Sequence, residues 1–187
     1  LENANEHSEQ TIRKILFQKQ QKVKDFSGVD FEIVAGELLF RGKPYENEVF
    51  TRMLFESIEK GCKPGPLIRF LEKLEQNPNV KSREMVWRWL SNQGLAIDES
   101  GDIVGFKYVT KVTETSHPEL FKAGADFTDG YTGTMRIKLG EPVEMPRSKV
   151  TFNENECAAG GLHVGIFSYA KSAKHSLICK VNPADIV

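Results

Sequence analysis

Gly94 is the position that most constrains this chain, because the spacing of apolar residues changes period there. Ahead of it, three stretches place apolar residues at helical separations. The first carries Val49, Met53, Leu54 and Ile58, the second Leu67, Phe70, Leu71 and Leu74, and the third Met85, Val86, Trp89 and Leu90. Each stretch meets a stop signal, at Gly61, at Asn77-Pro78 and at Gly94 itself. Glycine accepts the left-handed conformation that ends a helix, and proline lacks the N–H that would continue one. Pro66 sits near the start of the second stretch, and Ser82 is the expected N-cap of the third. Behind Gly94 the apolar residues fall into short runs divided by turn residues, the pattern of strands. The expected fold is therefore α+β: an N-terminal β-hairpin plus a three-helix unit, then a C-terminal strand-rich domain.

Within that frame, residues 1–27 read as a lead-in helix with a thin stripe of Ile12, Ile15, Leu16, Lys19 and Val23. Residues 28–94 hold the hairpin, two short strands around Ala35-Gly36 closed by Arg41-Gly-Lys-Pro44, and the helical unit. Residues 95–187 form the strand-rich domain, with strands expected at 103–109, 132–139, 149–152, 161–165 and 177–181 and a short helix at 167–173. Residues 110–130 read as an irregular loop in which Asp126 and Asp129 serve turns, Gly130 taking a positive φ. Of Trp87 and Trp89, one is expected in the core and the other half-covered at its rim.

Charge and cysteine usage exclude several classes of function. The chain has 25 basic and 26 acidic residues among 187, a net charge of -1, so no global field attracts nucleic acid or an anionic membrane. Cys62, Cys157 and Cys179 are odd in number and contain no CxxC pair, which fits reduced thiols rather than a disulfide framework. No run reaches the roughly 20 apolar residues of a membrane span, and no hydrophobic signal segment opens the chain at Leu1-Glu-Asn. A protein soluble where it is made is the expectation.

Few residues offer chemistry. Cys157 and His163, six apart, form the one thiol and imidazole pair that a glycine-rich turn can bring together, but no third orienting group is evident and Cys157 beside two alanines reads as a packing residue. Cys157, His163, His175 and Cys179 are metal-ligand types whose spacing matches no compact zinc motif, so neither a metal nor a cofactor is expected. Lys107 lies inside an apolar strand, where burial is costly unless it is paired, so a place on an exposed alternating face is the expectation. Arg147 has the geometry to clamp a phosphate or carboxylate, or to be satisfied by neighbours such as Glu141 and Glu144.

The C-terminal half carries a distinctive order of elements. These are Gly105-Phe-Lys-Tyr108, Asp129-Gly-Tyr-Thr-Gly133 with Tyr131, Met145-Pro-Arg147 and Cys157-Ala-Ala-Gly-Gly-Leu-His163, preceded by Arg41-Gly-Lys-Pro-Tyr-Glu-Asn47 and Phe70-Leu-Glu-Lys-Leu-Glu-Gln-Asn-Pro78. From about residue 31 to 187 this series resembles the bacteriophage rIIB lysis-inhibition-protein-like family. The resemblance implies a phage or prophage protein of the host cytoplasm that acts on lysis timing or host-defence evasion by associating with a host or phage protein. An assembly of identical copies through the helical half fits the same picture, while nucleic-acid binding and membrane association are not expected.

A second, looser likeness concerns Gly161-Leu-His-Val-Gly165, Ser168-Tyr-Ala-Lys-Ser-Ala173 and Leu177-Ile-Cys-Lys-Val181, which are similar to the middle of the ADP-ribosyltransferase fold. It implies a small-ligand or nucleotide cleft of NAD-like type around His163, with Tyr169, Lys107, Tyr131 and Arg147 as further ligand candidates. The only late acid that can stand for a catalytic glutamate is Asp185, so the likeness implies a degenerate, non-catalytic cleft.

Overall fold

The computed structural model describes residues 31–34, 37–94, 96–151, 160–171 and 173–187, and the fold is α+β. The lead-in helix with its Ile12 stripe, the Ala35-Gly36 turn and Cys157 lie outside the described residues. The described chain up to Glu72, with Glu99–Gly101, forms one compact unit; Lys73–Asp98 with Asp102–Val187 forms a second.

In the first unit, β1 (Phe31–Val34) pairs antiparallel with β2 (Glu37–Phe40), which pairs in turn with β3 (Lys43–Pro44) around Arg41 and Gly42, both at positive φ. The next helix, α1 (Glu48–Glu59), starts where the Asn47 side chain accepts the Phe50 N–H at 2.9 Å. It buries Phe50, Leu54 and Ile58, one residue per turn, and the Tyr45 ring stands edge-on between Phe40 and Phe50. Most of α2 (Gly65–Glu75) belongs to this unit and buries Leu67, Ile68, Phe70 and Leu71. Residues 99–101 join them because the Arg69 Nε donates to the Glu99 carbonyl at 2.7 Å. Gly101, at φ 81°, lies so close to α2 that a Cβ there would stand 2.5 Å from the Phe70 nitrogen.

The second unit contains α3 (Val80–Gln93), whose true N-cap is Asn79; Ser82 lies one turn inside the helix and gives its N–H to the Asn79 side chain at 3.2 Å. Gly94 ends α3 in the left-handed conformation, as its position in the sequence demands. Trp87 is buried and Trp89 half-buried, the expected division.

Four antiparallel strands complete this unit: β4 (Ala96–Ile97), β5 (Ile103–Lys111), β6 (Phe127–Asp129) and β7 (His175–Val181). The long strand β5 is the axis. It pairs with β7 along one side, Ile103 opposite Val181 through Val109 opposite His175. On its other side it meets β4, then Gly165 opposite Phe106, then β6. Odd-numbered residues of β5 and β7 therefore share one face of the sheet, and Ile103 and Val109 of that face are buried.

Several stretches differ from the sequence reading: residues 161–165 make a single bridge at Gly165 in place of a strand, and Gly130 does not take a positive φ. Residues 110–130 are ordered, with a 3-10 turn at Val112–Glu114, helix α4 (Pro118–Lys122) opened by a proline at its first turn, and β6. Residues 132–139 are not a strand. Their amides are taken by side chains, Thr132 and Met135 by the Asp129 carboxylate and Leu139 by Asp126, so only Ile137 bridges to Phe127. A 3-10 turn occupies Arg147–Lys149, where the sequence suggests a strand entering at 149, and the chain returns through α5 (Phe167–Ala170) to β7.

Candidate functional site

The two faces of the four-stranded sheet present different surfaces. A groove of about 1230 Å³ on the odd-numbered face, reaching Ile178 and Lys180 at the edge of β7, is lined by Met85 and Trp89 of α3, Leu177 and Cys179 of β7, and the sequence candidates Lys107, Arg147 and His163. Lys107 comes from the middle of β5, opposite Leu177, and its ammonium donates to the His163 carbonyl at 3.0 Å. The segment 161–165 comes close over this face because Gly105 leaves room: a Cβ there would approach Val164 to 3.3 Å.

Burial pushes the Lys107 ammonium below the usual lysine range, with the Asp129 carboxylate and an ionised Cys179 opposing that shift. Burial pushes the Cys179 thiol up, with the Lys107 charge opposing. A thiol held protonated is a poor nucleophile, so the geometry suits holding an anionic group against Lys107 better than attack by Cys179.

Arg147 lines the groove but spends its guanidinium on the chain itself, donating to the Ala184 and Ile186 carbonyls at 2.8 and 3.2 Å. Asn77, fully buried, holds the same segment by donating to Pro183 and Ile186 at 3.0 and 2.7 Å. Neither role is legible in the sequence, because the partners lie more than 35 residues away. Tyr131, 85% exposed, and Tyr169 are not brought to the groove. His175 is held by Glu114, whose carboxylate also takes Lys174 at 2.9 Å. Among the described residues, no group of three or more His, Cys, Asp or Glu side chains is placed to hold a metal ion.

The even-numbered face is a surface the sequence reading missed. Phe106 of β5 stands opposite Ile178 of β7 and is met edge-on by the Phe167 ring at 5.2 Å. Tyr169 packs over Gly165, which bridges to Phe106 from the other side, and Tyr108 lies against Gly130, where any Cβ would collide with its ring. These side chains form one apolar row, yet Phe167, Tyr169 and Ile178 are 59%, 67% and 72% exposed. No acidic residue occurs between Glu156 and Asp185, so the segment bearing them carries only Lys171, Lys174 and Lys180 as formal charges. The available signal was the alternation of Phe106 and Tyr108 within an apolar strand, which puts both on one face.

No helix of the described residues is long and apolar enough to cross a membrane. The family described as bacteriophage T4 protein rIIB matches residues 1–187. Protein rIIB of Enterobacteria phage T4 is 26% identical over 172 residues, covering 90% of this chain and 50% of the relative. The chain thus spans about half the length of the curated relative it matches. No solved structure matches the chain.

Proposed function

The chain belongs to the bacteriophage T4 protein rIIB family, and on that premise we propose that it is a phage accessory protein working in the host cytoplasm through association with a host or phage protein. The process it serves in this reading is lysis timing or evasion of host defence. The observation that carries the association is the apolar row of exposed Phe167, Tyr169 and Tyr108 beside half-buried Phe106 on the outer face of the sheet. A row of large aromatic side chains left in water is costly for a monomer and marks a contact surface. Aromatic residues also supply most of the binding energy at protein interfaces, so truncating two of them is a sensitive test.

The double substitution Phe167→Ser with Tyr169→Ser removes the two most exposed aromatic side chains of the row and leaves Phe106 and Tyr108 in place. Introduced into a phage, it is expected to shift the lysis time of infected cultures with the protein present at normal abundance. An unchanged lysis time would remove the outer face from the account.

A second reading places a small anionic or nucleotide-like ligand in the groove around His163. The observation favouring it is Lys107, a partly buried ammonium whose hydrogen bond goes to a carbonyl and not to an acid. Native mass spectrometry of wild type and Lys107→Met after incubation with nucleotides tests it. A mass increment present in the first and lost in the second supports the groove; bare chains in both reject it.

A further inference from the structure

The outer edge of β7 borders the aromatic face and presents backbone groups as well as side chains. Phe106 exchanges both backbone hydrogen bonds with Gly165 at 2.8 Å, and the Tyr108 carbonyl accepts the Gly130 N–H. Even-numbered residues of β5 therefore direct their backbone groups away from β7, and odd-numbered ones bond to it, Gly105 with Cys179 and Lys107 with Leu177. On β7 the same alternation turns the N–H and C=O groups of Ser176, Ile178 and Lys180 outward. Among the described residues no strand pairs with that edge, and none of those backbone groups has a backbone partner.

Open edges of this length normally carry a device against pairing: a proline, a bulge or a projecting charge. On β7 no such device operates. Its seven residues run in unbroken register with β5, it contains no proline, and the Lys180 ammonium is turned to Asp98 at 2.7 Å. We propose that this edge pairs antiparallel with β7 of a second copy of the chain, about a two-fold axis at Ile178, joining the two sheets into one.

Self-complementarity selects a second copy over an unrelated strand. The outward backbone groups sit at 176, 178 and 180, symmetric about Ile178, so a two-fold axis there satisfies all of them on both copies. Ser176 then faces Lys180 of the second copy and Leu177 faces Cys179, so no like charges meet. Ile178, 72% exposed, is covered by its own counterpart beside the Phe106 and Phe167 rings.

Sedimentation velocity and amide hydrogen exchange on the 187-residue chain test the proposal together. Wild type is expected at twice the 21.1 kDa chain mass, with the Ser176, Ile178 and Lys180 amides protected. Ile178→Lys brings two ammonium groups together at the axis and is expected to halve the mass. It should expose those three amides to exchange while Leu177 and Cys179, bonded to β5, stay protected. Ile178→Leu should keep the dimer. A single-chain mass for wild type overturns the proposal, and so does a dimer whose Ile178 amide exchanges fast, since its contact would lie elsewhere. The wild-type exchange pattern decides even if the lysine variant fails to fold.

Discussion

Replacing Asp129 with asparagine tests what holds the irregular chain after β6. Asp129 is 5% exposed, and its carboxylate accepts the Thr132 N–H at 2.6 Å, the Thr132 hydroxyl at 2.8 Å and the Met135 N–H at 3.0 Å. Burial by itself pushes this carboxyl up. The hydrogen bonds from Thr132 and from the Met135 and Thr134 amides outweigh that and bring it from 3.8 down to about 2. A depression of that size corresponds to roughly 2–3 kcal/mol, at about 1.4 kcal/mol for each tenfold change in proton affinity. Because the folded value lies below the unfolded one, this stability is complete above about pH 4 and is lost as the pH falls through about 2.

The asparagine side chain keeps the shape but not the charge, and it turns an N–H group towards donors. Urea unfolding followed by the fluorescence of Trp87, which is buried in the same unit, should show Asp129→Asn less stable by roughly 2–3 kcal/mol near neutral pH. The gap should close between about pH 4 and pH 2. Stability curves of the two proteins that run parallel across that interval would refute the reasoning.

Other perturbations follow from single contacts. Asn77→Ala removes two donated bonds and one accepted from the Asn79 N–H at a fully buried site, and thermal unfolding should register a loss of about 2–4 kcal/mol. Arg147→Ala frees the Ala184 and Ile186 carbonyls and should cost about 1.5–3 kcal/mol, with faster amide exchange in the terminal segment as a second readout. Gly101→Ala combines an unfavourable φ with a collision against α2, and a loss of about 2 kcal/mol or more in urea unfolding is expected.

What the sequence discloses, and what it conceals, divides along the range of the interactions. The helices were legible because Leu54 and Ile58, or Val86 and Leu90, repeat at helical spacing and Gly94 ends the pattern locally, although the first helix buries Phe50 where the spacing suggests Val49 and Met53. The β5 and β7 strands were legible from their composition. Stretch 132–139 has the composition of a strand but gives its amides to Asp129 and Asp126, a competition that spacing does not reveal. Asn79 rather than Ser82 caps α3 because proline at 78 and the buried Asn77 fix where the helix begins. Lys107, Arg147 and His163 meet in one groove only through the pairing of β5 with β7 and the crossing of 161–165, which are long-range events. The outer aromatic row was concealed for the opposite reason: Phe106, Phe167 and Ile178 have the residue types of a core, and only the sheet's register turns them to solvent.

The central claim is that the chain works through the outer face of its sheet. The most direct measurement is the lysis time of host cultures infected by a phage lacking its own copy of the gene and supplied with one of three versions: wild type, Phe167→Ser with Tyr169→Ser, or Lys107→Met. The account predicts that wild type and Lys107→Met restore the same lysis time and that the aromatic double variant, present at equal abundance, does not. Restoration by the aromatic variant together with failure of Lys107→Met would contradict it and move the function to the groove.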